Sequence, residues 1–532
     1  MKRIQICDAT LRDGCQAEGI SFSLAGKMRL TEHLDQFGID YIEGGFAVSN
    51  PKDMAFFRRM RRKSLRHAKL TAFGSTRRVG ARVAEDAHVQ LLLEAGTPVV
   101  TLVGKAWRLH VSDVLRTTPA ENRKMIADTV RHMKGQGKEV LFDAEHFYDG
   151  YKDSPEFALD MVAAAAEAGA DVVVLCDTNG GSLPKEIYDI TRAVRRAVPV
   201  ALGIHTHNDS GLAVANTAEA VRAGAVHVQG TINGFGERCG NCDLCSVIPV
   251  LRLKMELACC EKAELAALRD LSLYFSELAN IRHDKKAPFV GESAFAHKGG
   301  MHVDAVTKNP RTYEHVQPET VGNQRRVLMS EWSGGSNVLM KAVELGVGGL
   351  KKSSPEVREI LKELKKLEGK GYAFEAADAS FEILIQKVLK KHKPFFELRQ
   401  FKVLVEKHGK NRRCISEATL KVRVNGEEAH TVGEGDGPVN ALDNALRKAL
   451  RRFYPEITDV RLTDFRVSIL DPEEATAATT RVQIESSDGN ETWGTVGVSE
   501  NIIEASWEAL LDSVEYKLFK EEAKKRKAKT KR

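Results

Sequence analysis

The sequence predicts an α/β chain in three parts: a closed (β/α)8 TIM barrel, a helical lid and linker, and a C-terminal α+β domain with a duplicated βββα unit. Three observations predict this. Apolar strands alternate with amphipathic helices eight times between residues 3 and 257. Charged and polar residues fall at the C-terminal ends of those strands, where such a barrel carries its chemistry. Further on, Thr431-Val432-Gly433 recurs as Thr495-Val496-Gly497, and Ala441, Ala445 and Leu446 recur at the same offset of 64 as Ala505, Ala509 and Leu510.

The strands are expected at 3–9, 41–46, 69–74, 98–103, 139–145, 171–176, 201–207 and 227–233. The sixth, Asp171-Val-Val-Val-Leu-Cys176, is apolar after its first residue, as a strand covered on both faces should be. Asn50-Pro51, Thr118-Pro119 and Ser154-Pro155 pair a capping side chain with proline at the first helical position. Gly38, Gly96, Gly137, Gly169 and Gly224 suit left-handed helix ends. No Gly-x-Gly-x-x-Gly follows the first strand, which counts against an open dinucleotide-binding sheet.

Strand one ends in Asp8-Ala-Thr-Leu-Arg12-Asp13-Gly14 and strand two at Glu43. Strand five ends in Asp143-Ala-Glu145-His146, strand six in Asp177-Thr178-Asn179 and strand seven in His205-Thr-His207-Asn208-Asp209. Buried charge without a partner is costly, so this convergence points to a metal or a charged ligand. His205 and His207, two apart on one strand, face the same way. Two imidazoles with a carboxylate and an amide oxygen suit a divalent cation such as Mn, Mg, Zn or Co and leave positions open for substrate. Asp13 and Asn241 are the candidate oxygen donors. Cys239-x-x-Cys242-x-x-Cys245, with Cys259 or Cys260, is a competing metal motif. The plainer reading makes these cysteines small core residues, with Cys245 opening the helix after strand eight.

The expected boundaries are 1–265 for the barrel, 266–394 for lid and linker, 395–519 for the repeat domain and 520–532 for a basic tail. Ser353-Ser-Pro-Glu356 reads as a capping box. Asn425-Gly426 and Asp488-Gly489 read as hairpin turns. One βββα unit would leave a sheet face bare, so the two copies must pack together. Gly433-Glu-Gly-Asp-Gly437-Pro438 precedes a helix, but its two acids would repel a phosphate.

Hydrophobic residues make up 42% and charged residues 29%, ordinary for a soluble globular chain. No apolar run approaches the ~18 residues of a membrane span, so no membrane partner is expected. The net charge of +6 is misleading, because residues 520–532 alone hold eight Lys/Arg against two Glu. A solvated helix end is the plain reading of that tail, and the neutral body argues against a nucleic-acid partner. Nine cysteines are too few and odd in number for a disulfide scaffold. Together with a start, Met1-Lys2-Arg3, that meets charge before any signal-peptide core, they lead us to expect a cytoplasmic protein.

Asp8-Ala-Thr-Leu-Arg12-Asp13-Gly14-Cys15-Gln16, Gly203-Ile-His205-Thr-His207-Asn208-Asp209 and Gly234-Phe-Gly-Glu-Arg-Cys-Gly240-Asn241 resemble the barrel metalloenzymes that condense acetyl-CoA with a 2-oxo acid. This family holds the 2-isopropylmalate, homocitrate and citramalate synthases, with hydroxymethylglutaryl-CoA lyase as a relative. Glu43-Gly-Gly, Asn50-Pro51-Lys52-Asp53, Asp143 to Tyr151 and Ala296 to Ala305 support the resemblance, which covers nearly the whole chain and is finest with the branch that uses pyruvate. It implies an acyltransferase. A Claisen-type condensation of acetyl-CoA with pyruvate, then thioester hydrolysis, would serve isoleucine biosynthesis; a larger 2-oxo acid is the alternative.

By resemblance, Asp13, His205, His207 and Asn241 are the metal ligands. Arg12 steadies the oxygen of the 2-oxo acid and of the enolate, and Asp13, Glu145 and Thr178 also meet substrate. His302, Asp304 and Tyr313, in the lid segment, join Arg12 and Glu145 as catalytic residues acting on the acetyl group. The C-terminal domain implies a homodimer regulated by isoleucine. From the residues alone, other roles stay open. Arg12 could simply pair with Glu43 or Glu145, and Glu145 could be an ion-pair partner. His302 could be a satisfied histidine and Tyr313 a packing residue.

Overall fold

The computed structural model describes residues 3–47, 50–260, 264–344, 347, 349–407, 409 and 414–530. Met1 and Lys2 at the start, and Lys531 and Arg532 of the tail, lie outside the described residues. The chain divides into two compact units, residues up to 295 with 316–324, and residues 296–315 with 325 onward.

The first unit is a closed parallel barrel. Its strands are β1 (Gln5–Asp8), β2 (Tyr41–Phe46), β3 (Lys69–Ser75), β4 (Val99–Lys105), β5 (Glu139–Glu145), β6 (Val172–Asp177), β7 (Ala201–Thr206) and β8 (His227–Gly230). β8 closes on β1 with Gln5 opposite His227 and Asp8 opposite Gly230. β1 and β8 are shorter than expected. The chain leaves β1 where the Arg12 and Gly14 amides both donate to the Ala9 carbonyl. It leaves β8 because Asn233 takes the left-handed conformation, φ 61°.

Alternation along the strands decides what faces where. Ile6, Val100, Leu102, Phe142, Val173, Leu175 and Ile204 are fully buried among the surrounding helices. Cys7, Tyr41, Val99, Leu141, Val172, Val174 and Cys176 form a second apolar cluster inside the barrel. At the same inward parity, nearer the C-terminal ends, stand Glu43, Thr71, Thr101, Asp143, His205 and Gln229, all buried and polar.

The helices start and stop as the caps predict. The Asn50 side chain accepts from the Lys52 amide and Thr118 from Glu121; Ser154 makes no side-chain cap, although Pro155 still opens its helix. The charged helix Pro355–Glu368 is capped by Ser354, not Ser353. That shift puts Glu356 one position too early to complete a capping box.

In the second unit, β9 (Ala296–His297) pairs with β10 (Arg326–Val327). Two antiparallel sheets follow: β11 (Glu397–Glu406), β12 (Ile415–Val424) and β13 (Glu427–Gly435), then β14 (Arg461–Ile469), β15 (Thr480–Ser487) and β16 (Thr492–Ser499). Helices Pro438–Leu450 and Ile502–Thr530 complete the two copies. The repeat holds at atomic detail: Thr431 Oγ1 donates to the Ala445 carbonyl at 2.9 Å, and Thr495 Oγ1 to the Ala509 carbonyl at 2.8 Å. A Cβ on Gly433 would stand 2.4 Å from the Ala445 nitrogen, and one on Gly497 2.1 Å from the Ala505 oxygen. Each helix therefore seats directly on a bare strand backbone.

In the tail, Lys520, Lys524 and Lys525 pair with Glu491, Glu521 and Glu456, as a solvated helix end would. All nine cysteines are free. Among the described residues no helix is long and apolar enough to cross a membrane.

Candidate metal centre and active site

The loop after β1 turns back on itself. Thr10 hydrogen-bonds Asp8 and accepts from the Ile232 amide, tying this loop to the end of β8. That fixes Arg12 and Asp13 at the barrel mouth. From β7, His205 and His207 reach the same place. The Nε2 atoms of the two imidazoles stand 3.4 Å apart, and Asp13 Oδ2 lies 3.5 Å from His205 Nε2. One ligand atom from each of the three residues falls within 4.8 Å of the others.

Asn241 arrives on the loop after β8, bridged to His207 by backbone pairing. Gly236 lets that loop close, since a Cβ there would meet the Asn241 amide nitrogen at 2.7 Å. Asn241 Nδ2 donates to the Phe235 carbonyl at 3.4 Å, which leaves its Oδ1 free. Asn241 Oδ1 and Asp13 Oδ1 are both buried without a hydrogen-bond partner. Buried polar atoms are rarely left so, and a divalent cation among these four residues satisfies both.

The protonation states agree. Burial pushes the Asp13 carboxyl up, but Arg12 and the two imidazoles outweigh it and hold it at about 2. Burial and the neighbouring His205 pull His207 down to about 3. The site thus offers a carboxylate and a neutral imidazole, the forms that bind metals.

Arg12 is fixed from three sides. Its Nε donates to Glu43 at 2.5 Å and its Nη1 to Asp13 at 2.9 Å, and the guanidinium lies 3.9 Å over the Phe73 ring. Burial alone would lower its pKa, but Glu43, Asp13 and Asp143 raise it, so the cation is permanent. The expected pairing with Glu43 is therefore present. Nη2 takes no protein partner among the described residues, so a ligand role stays open.

Above these groups is a cavity of about 300 Å³, walled by Phe46, Phe73 and Val103 on its apolar side and by Glu145, Thr178 and Arg238 at its rim. Glu145 pairs with Lys105, and Thr178 Oγ1 accepts from the His146 amide at 2.8 Å. The cysteine motif forms no metal cluster among the described residues. Cys242 and Cys245 are buried, and burial drives the Cys242 thiol up to about 12. They are core, with Asp243 capping the helix that begins beside Cys245.

His302, Asp304 and Tyr313 lie in the second unit. The rings of His302 and Tyr313 stack with centroids 4.2 Å apart. Asp304 pairs with Lys308 and Lys352 and accepts from Ser336, which together hold its carboxyl well below the ordinary range.

Sequence reasoning missed Lys105, Phe73 and Gln229. Gln229 Oε1 meets His205 Nδ1 at 2.9 Å. The signal for Gln229 was a polar residue at an inward position of a short strand.

Comparison with known proteins adds three matches to family models: "HMGL-like" over residues 3–273, "Homocitrate synthase post-HMGL domain-like" over 289–371, and "LeuA allosteric (dimerisation) domain" over 375–518. (R)-citramalate synthases of Geobacter sulfurreducens and Aquifex aeolicus are each 51% identical to the chain over 522 residues, covering 98% of it and 99% of theirs. The chain belongs to the (R)-citramalate synthase family. A probable 2-isopropylmalate synthase of Methanopyrus kandleri is more distant, 30% identical over 96% of this chain and 98% of its own. Likeness to the (R)-citramalate synthases runs through all three matched regions, so barrel, intermediate segment and duplicated domain belong to one family architecture.

Proposed function

We propose that this chain condenses acetyl-CoA with pyruvate and hydrolyses the thioester, giving (R)-citramalate and CoA. The observation that carries the reading is the buried Asp13–His205–His207 cluster, with the orphaned Asn241 oxygen beside it, in a chain half identical along its length to (R)-citramalate synthases. Those four residues would hold a divalent cation, Mn, Mg, Zn or Co, which when bound supplies Lewis acidity to a chelated 2-oxo acid.

The chain's own groups supply the rest. Arg12, locked by Glu43 and Asp13, donates to the oxygen that gains charge as the carbon–carbon bond forms. Phe46, Phe73 and Val103 form the apolar wall against which a methyl group fits. Glu145, held by Lys105, and Thr178 contact the substrate at the rim. His302, Asp304 and Tyr313 act on the acetyl methyl, an assignment that rests on their motif. The duplicated C-terminal domain pairs two copies of the chain and takes isoleucine as effector, and the enzyme works in the cytoplasm.

The test is thiol release from acetyl-CoA with Mn²⁺ and either pyruvate, 2-oxoisovalerate or 2-oxoglutarate. Release with pyruvate, and a product of R configuration, is expected. A clear preference for 2-oxoisovalerate would move the assignment to isopropylmalate synthesis, and silence with all three would end it.

A further inference from the structure

Two buried side chains beneath the cation site have no part in the reading above. Gln229 on β8 and Asp143 on β5 are 1% and 3% exposed and point into the barrel. Gln229 Nε2 donates to Asp143 Oδ1 at 3.0 Å, while its Oε1 faces His205 Nδ1 at 2.9 Å. We propose that Gln229, oriented by Asp143, is a positioning residue that fixes the tautomer of His205 and leaves its Nε2 lone pair for the cation. This rests on the reading of Asp13, His205 and His207 as a cation site.

The argument is one of hydrogen-bond polarity. A neutral imidazole carries one N–H and one lone pair, and only the lone pair binds a metal. His205 Nε2 faces Asp13 and His207, so the proton must sit on Nδ1. An oxygen facing Nδ1 enforces this, whereas an amide N–H there would enforce the reverse. The two ends of the Gln229 amide are thus opposite instructions. Asp143 Oδ1 selects between them. It accepts whether or not its companion oxygen carries a proton, so it draws the Gln229 nitrogen to itself and turns the oxygen toward His205. A flipped amide would set its oxygen against the Asp143 oxygen and its N–H against the imidazole N–H.

The support is asymmetric. His207 Nδ1 is buried with no hydrogen-bond partner, so the second imidazole has no such guide. A partner on the far nitrogen of a ligating histidine typically changes metal affinity by about 10–100-fold. An uncharged amide suits this place, because Asp143, Glu43 and Asp13 already crowd the barrel interior with carboxyls.

The test uses full-length protein stripped by chelation and titrated with Co²⁺ alone, without substrates. The dissociation constant is read by calorimetry and the ligand field by visible absorption. Gln229→Met is nearly isosteric and removes the acceptor, so it is expected to weaken Co²⁺ binding about 10–100-fold while the metal-free melting temperature stays close to that of the parent. Gln229→Glu keeps an acceptor facing His205 Nδ1 and can hold a proton shared with Asp143 in place of the amide N–H, so it is expected to bind Co²⁺ more tightly than Gln229→Met. Asp143→Leu frees the amide to turn and is expected to weaken binding too. Parent-like binding in Gln229→Met, or equal weakness in Gln229→Met and Gln229→Glu, overturns the inference. If Gln229→Met does not fold, parent-like binding in Asp143→Leu overturns it instead. Failure of the parent protein to bind Co²⁺ overturns the cation reading itself, a separate result.

Discussion

Replacing Arg12 with lysine keeps the charge and removes the fork. The guanidinium bonds Glu43 through Nε and Asp13 through Nη1, and its flat face covers Phe73. A lysine ammonium is a point charge on a flexible stem, able to meet one of those carboxylates but unable to stack. A buried carboxylate then loses a charge-assisted hydrogen bond, a cost of about 1.5–3 kcal/mol. The larger effect falls on the reaction. An oxyanion donor removed from a preorganised site typically costs about 10²–10³ in kcat, roughly 3–4 kcal/mol. The assay is steady-state thiol release with pyruvate and acetyl-CoA at saturating Mn²⁺, beside a Mn²⁺ titration without substrates. Arg12→Lys is expected to lose about 10²–10³ in kcat, with Mn²⁺ affinity changed by less than about tenfold. Parent-like kcat in a folded variant would refute the reasoning. Metal loss as deep as that of His207→Ala would refute it differently, by placing Arg12 in the metal site's integrity.

Further outcomes follow from other buried groups. Lys27 and Asp53 pair at 2.5 Å under the end of β2, where Asp53 also accepts from the Phe46 amide. Lys27→Met strands that carboxylate and is expected to destabilise by about 3–5 kcal/mol, seen as a lower melting temperature; adding Asp53→Leu should recover most of it. Burial raises the Glu382 carboxyl from 4.5 to about 7. The folded state therefore bears the cost of ionising it, absent below about pH 4.5, growing as pH rises and complete above about pH 7 at ~3 kcal/mol. Glu382→Gln should show a melting-temperature advantage that grows from pH 4.5 to pH 8; a pH-independent difference would contradict this. Thr495→Val, at a fully buried site, should cost more stability than Thr431→Val, about 0.5–1.5 kcal/mol, because water can replace the lost hydroxyl hydrogen bond only at the half-buried Thr431. Equal losses in denaturant melts would contradict the repeat's unequal burial.

The barrel was legible because its signals are local. Strand runs, proline-led helix starts and glycine ends each occupy a few residues, and eight repetitions leave little choice of fold. The histidine pair was legible for the same reason, since a spacing of two on a strand forces a shared face. Asn241 needed more, because its oxygen is free only once the glycines at 236 and 240 fold its loop onto His207. Lys105 and Phe73 were not legible, and the one local signal for Gln229, a polar residue at an inward strand position, does not name its partners. Gln229 and Asp143 stand 86 residues apart and meet only through closure of the barrel. The capping error at Ser353 has a different origin: only Ser353 has a glutamate three residues on, but Pro355 takes the first helical position and makes Ser354 the cap. The three-cysteine spacing was a false signal: Cys242 and Cys245 are buried in the core with Leu244, Val247 and Ile248, while Cys239 is exposed and not the core residue the plainer reading made it, and no cysteine cluster forms among the described residues.

The most direct measurement is anomalous diffraction from crystals of this protein grown with Mn²⁺ and pyruvate. The expected result is one strong peak bonded at about 2.0–2.3 Å to the Nε2 atoms of His205 and His207, with oxygens of Asp13 and Asn241 and the two oxygens of pyruvate completing the shell. No peak at that position, or a peak on the cysteines after β8, would contradict the account.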